Sequence, residues 1–316
     1  MKRVAVLSLV AIVFALAPAA LNAQGLLGSG LPSFSGFLGS SAACGEKCGG
    51  PAAGTTLYIG WMDDPNGVTA SLTADDTRTR NLGVSQARHR FRLSGLWLGG
   101  TQSVPLGENI AFLASGWYLF PANQSSLEEY SVTSRTWSTK TEWWFVDGLF
   151  AFGSGNAQLL AGLRYDKFKT KFDDPPAGGI GAVTDTADAI SYGIIPLVGV
   201  QYAQAGGNSN LLFRVVGIPT LAGSFKYREN IAGTSLEGSG NYNGGFFLEA
   251  FGEYGFKMGG SADAGIFARY NTTYGKANVN LDWLPAAISL DFPLSLRRSS
   301  WTIGGKFSLN FTIPYM

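Results

Sequence analysis

The chain has one histidine, two cysteines and few charges, and each shortage removes a class of function. Lys, Arg, Asp and Glu together make up 14% of the residues, against about 25% in an ordinary soluble domain. The net charge of +1 is not gathered into a basic stripe, so no nucleic-acid partner is expected. A structural zinc site wants four Cys or His ligands, and His89, Cys44 and Cys48 are three residues in all. The sequence holds no phosphate loop, no nucleophile elbow and no His-Glu-x-x-His, so neither a metal nor an organic cofactor is expected. After the first two dozen residues no apolar run approaches the ~20 residues of a spanning helix.

The first residues read as an export signal. Lys2 and Arg3 precede an apolar run from Val4 to Leu16, and small residues follow up to Ala23. A run this short fits a cleaved signal peptide over residues 1–23 better than an anchor. Residues 24–54 are rich in Gly, Ser, Ala and Pro and read as a periplasmic leader. They contain Cys44-Gly-Glu-Lys-Cys48. In an oxidising compartment the plain reading of that pair is a local disulfide.

What is abundant is glycine, with 43 residues, and aromatic side chains, at 13%. From residue 55 to 316 strand-like runs alternate with turn clusters. The clearest is Trp301 to Ile313. Trp301, Ile303, Phe307, Leu309, Phe311 and Ile313 fall on one face, and Thr302, Lys306, Ser308, Asn310 and Thr312 on the other. Membrane barrel strands need about 9–11 residues with lipid and lumen positions alternating. Similar pairs of faces set Phe246, Leu248, Tyr254 and Phe256 against Glu249 and Glu253, and Leu159, Leu163 and Tyr165 against Arg164 and Asp166. Ile266 and Tyr270 stand against Arg269, and Phe91, Leu93 and Trp97 against Arg90, Arg92 and Ser94.

These runs predict an all-β fold: a closed antiparallel up-and-down transmembrane β-barrel, exported to the bacterial outer membrane. Ten strands are expected, near 55–62, 88–101, 110–120, 136–152, 157–172, 190–203, 211–228, 242–256, 264–276 and 300–313. Five long loops and four short turns alternate between them, as in outer-membrane barrels. Treating 287–296 and 69–75 as extra strands gives twelve, and eight is the other alternative. Trp117, Tyr118, Trp137, Trp143, Trp144, Tyr165, Tyr270, Trp283 and Trp301 read as interfacial girdles.

The constellation that carries chemistry is the inward charged set: Arg164, Asp166, Arg214, Glu249, Glu253, Arg269 and Lys306. A barrel of about eight strands is filled by its own side chains, whereas 16 or more leave a channel. Buried charges must be paired, so the set reads as an internal ion-pair network. The sharper reading is a narrow polar pore. His89 sits between Arg88 and Arg90 with no orienting acid in sequence, which argues against a general base. The pairs Asp75-Asp76, Glu128-Glu129 and Asp173-Asp174 read as solvated loop charge. Asn271-Thr272-Thr273 and Asn310-Phe311-Thr312 match a glycosylation pattern but fall inside strands of a bacterial chain.

The ten-strand layout resembles the omptins, outer-membrane proteases with elongated ten-strand barrels. The likeness is carried by Leu160-Ala161-Gly162-Leu163-Arg164-Tyr165-Asp166-Lys167-Phe168 and by Ile195-Pro196-Leu197-Val198-Gly199-Val200-Gln201-Tyr202. In omptins strands of similar make-up flank the third long loop. The omptin active site pairs an Asp-x-His with two further acids at the barrel mouth. Here His89 is preceded two positions earlier by Ala87, and no Asp-x-His occurs. The resemblance therefore implies the fold and carries over no catalytic residue. The C-terminus also departs from the usual aromatic ending: Phe311 and Tyr315 lie near it, but Met316 is last.

The expectation is a non-enzymatic outer-membrane barrel serving envelope structure, loop-mediated interaction or limited passage of small solutes. Its partners would be membrane lipid and a surface ligand or solute. The competing readings are a narrow porin, an omptin-like hydrolase and a secreted soluble β-sandwich.

Overall fold

In a computed structural model, the described residues are 52–63, 68–73, 86–91, 93–106, 109–121, 124–130, 134–153, 156–173, 186–205, 208–231, 234–259, 262–283 and 288–312. The signal segment, Cys44 and Cys48 lie outside them, as do Asp75, Asp76 and Asp174. Side chains of His89, Glu128, Glu129, Trp137, Asp173, Trp283 and Asn310 are likewise outside what is described.

Fourteen strand segments form one sheet. They are β1 (Ala52–Asp63), β2 (Val68–Thr73), β3 (Gln86–Phe91), β4 (Ser94–Pro105), β5 (Ile110–Pro121), β6 (Gln124–Tyr130) and β7 (Ser134–Phe152). They continue with β8 (Ala157–Asp173), β9 (Thr186–Ala205), β10 (Ser209–Ile218), β11 (Ser224–Ile231), β12 (Thr234–Gly259), β13 (Ala262–Trp283) and β14 (Ile288–Thr312). Eight of the segments lie end to end in pairs, β1 with β2, β3 with β4, β5 with β6 and β10 with β11. The result is a closed antiparallel barrel of ten strands. The seam is β1 against β14, in unbroken register from Ala52↔Thr312 to Asp63↔Trp301. Closure leaves no sheet edge, and among the described residues no second layer packs on this sheet, so they form no β-sandwich.

The two segments that suggested twelve strands turn out to extend the first and last strands of the ten. β14 runs from Ile288, and its upper half pairs with β2 through Leu294↔Leu72 to Arg297↔Thr69. The five expected long loops are for the same reason much shortened. β6 lies inside the stretch 121–135, β12 begins at Thr234, and β13 runs on to Trp283. At ~3.3 Å per residue the 25 residues of β14 cover about 80 Å along the strand. At a tilt of ~40° that is a wall roughly 60 Å tall.

Alternation sorts the side chains as the period of two requires. On β14, Trp301, Ile303, Phe307 and Leu309 point outward at 51%, 67%, 42% and 49% exposure, while Thr302, Lys306 and Ser308 are buried. Leu159 and Leu163 on β8, Phe246, Leu248, Tyr254 and Phe256 on β12, and Ile266 on β13 also face out. Together with Leu57, Ile59, Val198, Val200, Leu211 and Phe213 they form an apolar belt round the barrel. The belt ends at a polar step on four strands: Arg297 on β14, Lys276 on β13, Lys167 on β8 and Glu142 on β7.

One strand has the opposite phase to the expectation. Leu93 and Trp97 are buried inside at 1% and 0%, and it is Leu96 that faces out at 37%. Two of the expected girdle residues, Trp117 and Trp143, are likewise inside, at 1% each. The reason is that the lumen itself is aromatic here, so apolar character does not distinguish the two faces. Tyr118, Trp144, Tyr165, Tyr270 and Trp301 do face outward. Tyr270 meets Trp301 at 4.7 Å and Trp144 meets Tyr165 at 5.4 Å between ring centroids, both at the upper rim of the belt.

The seam tolerates no added atom at Gly304. A Cβ there would stand 2.1 Å from the Ile59 carbonyl oxygen and 2.4 Å from the Gly60 Cα, whereas one at Gly305 would meet only the Gly265 oxygen at 3.8 Å. Gly304→Val is expected to destabilise the barrel by about 1–3 kcal/mol, an overpacking cost, and Gly305→Ala to be near neutral. The temperature at which the compact band is lost on a detergent gel measures both.

Candidate functional site: a charged, aromatic plug in the lumen

The inward charged residues meet in the barrel interior and form three linked groups. The central one is built round Glu249 on β12. Arg269 comes from the neighbouring β13, its Nε donating to Oε2 at 3.0 Å. Arg214 comes from β10, the neighbour on the other side, with Nη2 3.6 Å from Oε1. Arg164 reaches over from β8, its Nη1 2.8 Å from Oε2. The same guanidinium grips Asp147 through a fork, Nε to Oδ1 at 2.6 Å and Nη2 to Oδ2 at 2.7 Å. Ser115 Oγ donates to the second oxygen of Asp147 at 3.0 Å. Asp147 and Arg164 are direct cross-strand partners of the β7–β8 hairpin. Bidentate geometry of this kind is the strongest form of the pair.

The second group is Asp166 on β8. It receives Trp143 Nε1 at 2.9 Å and Arg298 Nη2 at 3.2 Å, and Arg298 also donates to Thr273 Oγ1 at 3.3 Å. The third lies nearer the chain ends. Lys306 Nζ donates to Glu253 at 2.6 Å and to Asn210 Oδ1 at 3.2 Å. Tyr58 donates to the other Glu253 oxygen at 2.7 Å, and Asn210 to Asp263 at 3.2 Å.

Aromatic rings fill the space the ions leave. The Arg164 guanidinium lies 3.9 Å from the Phe145 centroid and 4.7 Å from that of Phe247. Arg269 stacks against Phe145 at 4.2 Å and Trp117 at 4.9 Å, and Arg298 against Trp143 at 4.0 Å. Flat guanidinium planes pack on ring faces while their edges keep hydrogen-bonding, which an ammonium cannot do. The consequence is a filled cross-section: Arg164 and Phe145 are 0% exposed, Glu249, Trp117 and Trp143 1%.

Charges balance across the three groups. Among the described residues, Arg164, Arg214, Arg269, Arg298 and Lys306 are matched by Asp147, Asp166, Glu249, Glu253 and Asp263. Balance over the lumen is what burial demands, since an unpaired ion there costs several kcal/mol.

The structure places Arg164, Asp166, Arg214, Glu249, Glu253, Arg269 and Lys306 on the inner side of the wall. Sequence reasoning missed Asp147, Arg298 and Asp263. Counting from the Phe152↔Leu159 pair puts Asp147 opposite Arg164, so the hairpin register was the available signal. Arg298 lay in a stretch read as loop. The period-two row Leu294, Leu296, Arg298, Ser300, Thr302, all buried, marks it as strand. Among the described residues no group of three or more His, Cys, Asp or Glu is arranged to hold a metal ion.

No protein-family model matches the chain, and no curated protein matches it in sequence. Among solved structures it is similar to the outer-membrane protease OmpT of Escherichia coli, with a TM-score of 0.66 over 82% of this chain and 97% of that one, at 10% identity. It aligns more loosely with the outer-membrane protein OprG of Pseudomonas aeruginosa, with a TM-score of 0.42 at 10% identity over 83% of this chain and 97% of that one. The first likeness establishes a shared barrel architecture of bacterial outer-membrane type, and at this identity nothing about the reaction.

The three arginines are not held equally. Glu249→Gln strands Arg269 beside a neutral amide and leaves Arg164 with Asp147 alone, and it is expected to cost about 3–5 kcal/mol. Arg214 has the longest contact, and its Nε has no hydrogen-bond partner, so Arg214→Met is expected to cost about 1 kcal/mol or less. Urea unfolding in detergent micelles, followed by tryptophan fluorescence, gives the two values.

Proposed function

We propose that the chain is a non-enzymatic barrel of the Gram-negative outer membrane, exported by a cleaved signal over residues 1–23, with its lumen permanently plugged. The observation that carries this reading is the filled cross-section round Glu249 and Arg164. Support for the membrane comes from the apolar belt, which on β14 runs from Trp301 to Leu309. Those nine residues, tilted, span roughly 20 Å, close to the ~25 Å band of outer-membrane barrels.

A wall roughly 60 Å tall outreaches that belt by a wide margin. The surplus consists of the upper halves of β12, β13 and β14 with β2, β3, β6 and β11. Outward residues there are polar on β13, namely Lys276, Asn278, Asn280 and Asp282, all exposed. This is a rigid hydrated collar on which a surface partner would dock, because ladders hold side chains in place better than loops do. The role is therefore envelope structure and surface interaction, with solute passage limited by the plug.

Hydrolysis of the omptin type is the second reading, and the barrel shared with OmpT is what favours it. The sequence has one histidine and no Asp-x-His to supply the base.

Planar-bilayer recording tests the plug. The purified protein is expected to give no stable open steps, and an Arg164→Ser/Glu249→Ser double variant to give discrete ion conductance. Stable steps from the unaltered protein would make it a porin. Incubation with a random peptide library, analysed by mass spectrometry, is expected to leave the peptides intact, and cleavage would revive the hydrolase.

A further inference from the structure

The barrel wall is interrupted at one place where every residue is described. Between β10 and β11 the chain leaves the ladder over Pro219, Thr220, Leu221, Ala222 and Gly223. On the β9 side pairing stops at Gly217↔Val198 and resumes at Ser224↔Tyr192, so residues 193–197 keep their β8 partners but have no ladder on the side facing the segment. On the β12 side it stops at Ile218↔Phe247 and resumes at Ser224↔Asn241. There two backbone bonds bridge the interval, Leu221 N–H to Gly245 at 3.3 Å and Tyr242 N–H to Gly223 at 2.9 Å.

The interruption lies at the upper edge of the apolar belt. Ile194 and Pro196 are the cross-strand partners of Tyr165 and Leu163. Ile194 and Val198 face outward at 59% and 57% exposure, and Phe246 and Leu248 flank the other side at 44% and 40%. Backbone facing hydrocarbon normally has all its polar groups in a ladder, because lipid offers no partners. A lapse at this level is therefore an outlier that asks for a role.

Residue choice builds the lapse in. Pro196 and Pro219 carry no N–H, so neither adds an orphan donor. Gly223 and Gly245 hold φ of +145° and +131°, which side chains disfavour. At Gly193 a Cβ would stand 2.5 Å from the Ala222 carbonyl oxygen, so only glycine lets the segment lie flat on β9. Gly217 closes the ladder before the segment and Gly223 ends the segment.

One side chain fastens it. Leu221 turns inward, 4% exposed, into an apolar cluster with Ile195, Leu197, Val216, Phe247 and Leu160. Pro219, Thr220 and Ala222 stay exposed on the outside. An outward swing of the segment would take Leu221 with it and leave a leucine-sized apolar space that opens sideways into the belt. Apolar spaces of that kind stay dry and take small hydrocarbons.

We propose that residues 218–223 are a lateral hatch through which small apolar hydrocarbons pass between the surrounding lipid and the apolar part of the lumen. The inference rests on the membrane reading above. It is independent of the plug, which closes the axial path and leaves the side wall as the way in.

The test is photolabelling of the full chain in phosphatidylethanolamine–phosphatidylglycerol vesicles with trifluoromethyl-iodophenyl-diazirine, a small apolar probe that dissolves in the bilayer. Labelled residues are mapped by mass spectrometry. Label is expected on outward Val198 and Ile303 and also on inward Leu197, Leu221 and Phe247, but not on Leu119 or Phe267, which are inward behind intact ladders. In a Cys44→Ser/Cys48→Ser background, an Ile194→Cys/Ala222→Cys pair bridged by a short bifunctional methanethiosulfonate is expected to abolish the inward label, and reductant to restore it. Outward label without inward label overturns the hatch and leaves the membrane reading standing. Inward label that ignores the bridge, or that reaches Leu119 and Phe267 equally, also overturns the hatch. Absence of outward label overturns the membrane reading and the hatch together.

Discussion

Every second side chain of this barrel must face out, and that single constraint organises the rest. A closed antiparallel ladder satisfies the backbone from within and leaves no edge. Side chains are then divided by parity alone into an outer set and an inner set. The outer set is apolar from Trp301 to Leu309 and in the matching stretches of its neighbours. The inner set inherits whatever polar residues the strands carry, and it must satisfy them inside a narrow cylinder.

The inner set does this with one carboxylate at the centre. Glu249 draws arginines from both adjacent strands and from across the lumen. Such a triad would be a liability in a fully apolar core, where the cost of dehydrating ions can exceed their attraction. Here the surroundings are rings. Phe145, Trp117, Trp97 and Phe247 take the guanidinium faces, while Asp147 and Glu249 take the edges. The interior thus works as a solid layer of ions interleaved with aromatics. Strands on opposite sides are clamped together by it, which suits a barrel whose wall continues far beyond its apolar belt.

Most of the fold was legible in the sequence because soluble strands are usually too short to sustain period-two alternation over the length of the Trp301–Ile313 run. The strand count survived although several boundaries moved: one ladder runs on beyond residue 276 and others begin before residues 242 and 300, since polar outward residues such as Lys276 and Asn278 look like loop once the strand leaves the belt. The seven inward ions were legible by the same parity. Strands apolar on both faces gave no such guide. On β7, Trp143, Phe145 and Leu149 face in while Trp144, Val146 and Phe150 face out, so Asp147 was hidden between rings and Trp97, Trp117 and Trp143 were assigned to the wrong side. The lapse between β10 and β11 was unreadable as well. Pro219 signals a break, but only the pairing of both neighbours reveals that it falls beside the belt.

Which rings touch lipid decides whether parity divides this barrel as described. Tryptophan quenching by phospholipids brominated along the acyl chain measures that contact directly. The unaltered protein is compared with a variant in which outward Trp61, Trp144 and Trp301, together with Trp137 and Trp283, are Phe, leaving Trp97, Trp117 and Trp143. Strong quenching of the first and almost none of the second is the predicted result. Equal quenching of both would put the interior rings against lipid, and no quenching of either would remove the barrel from the membrane.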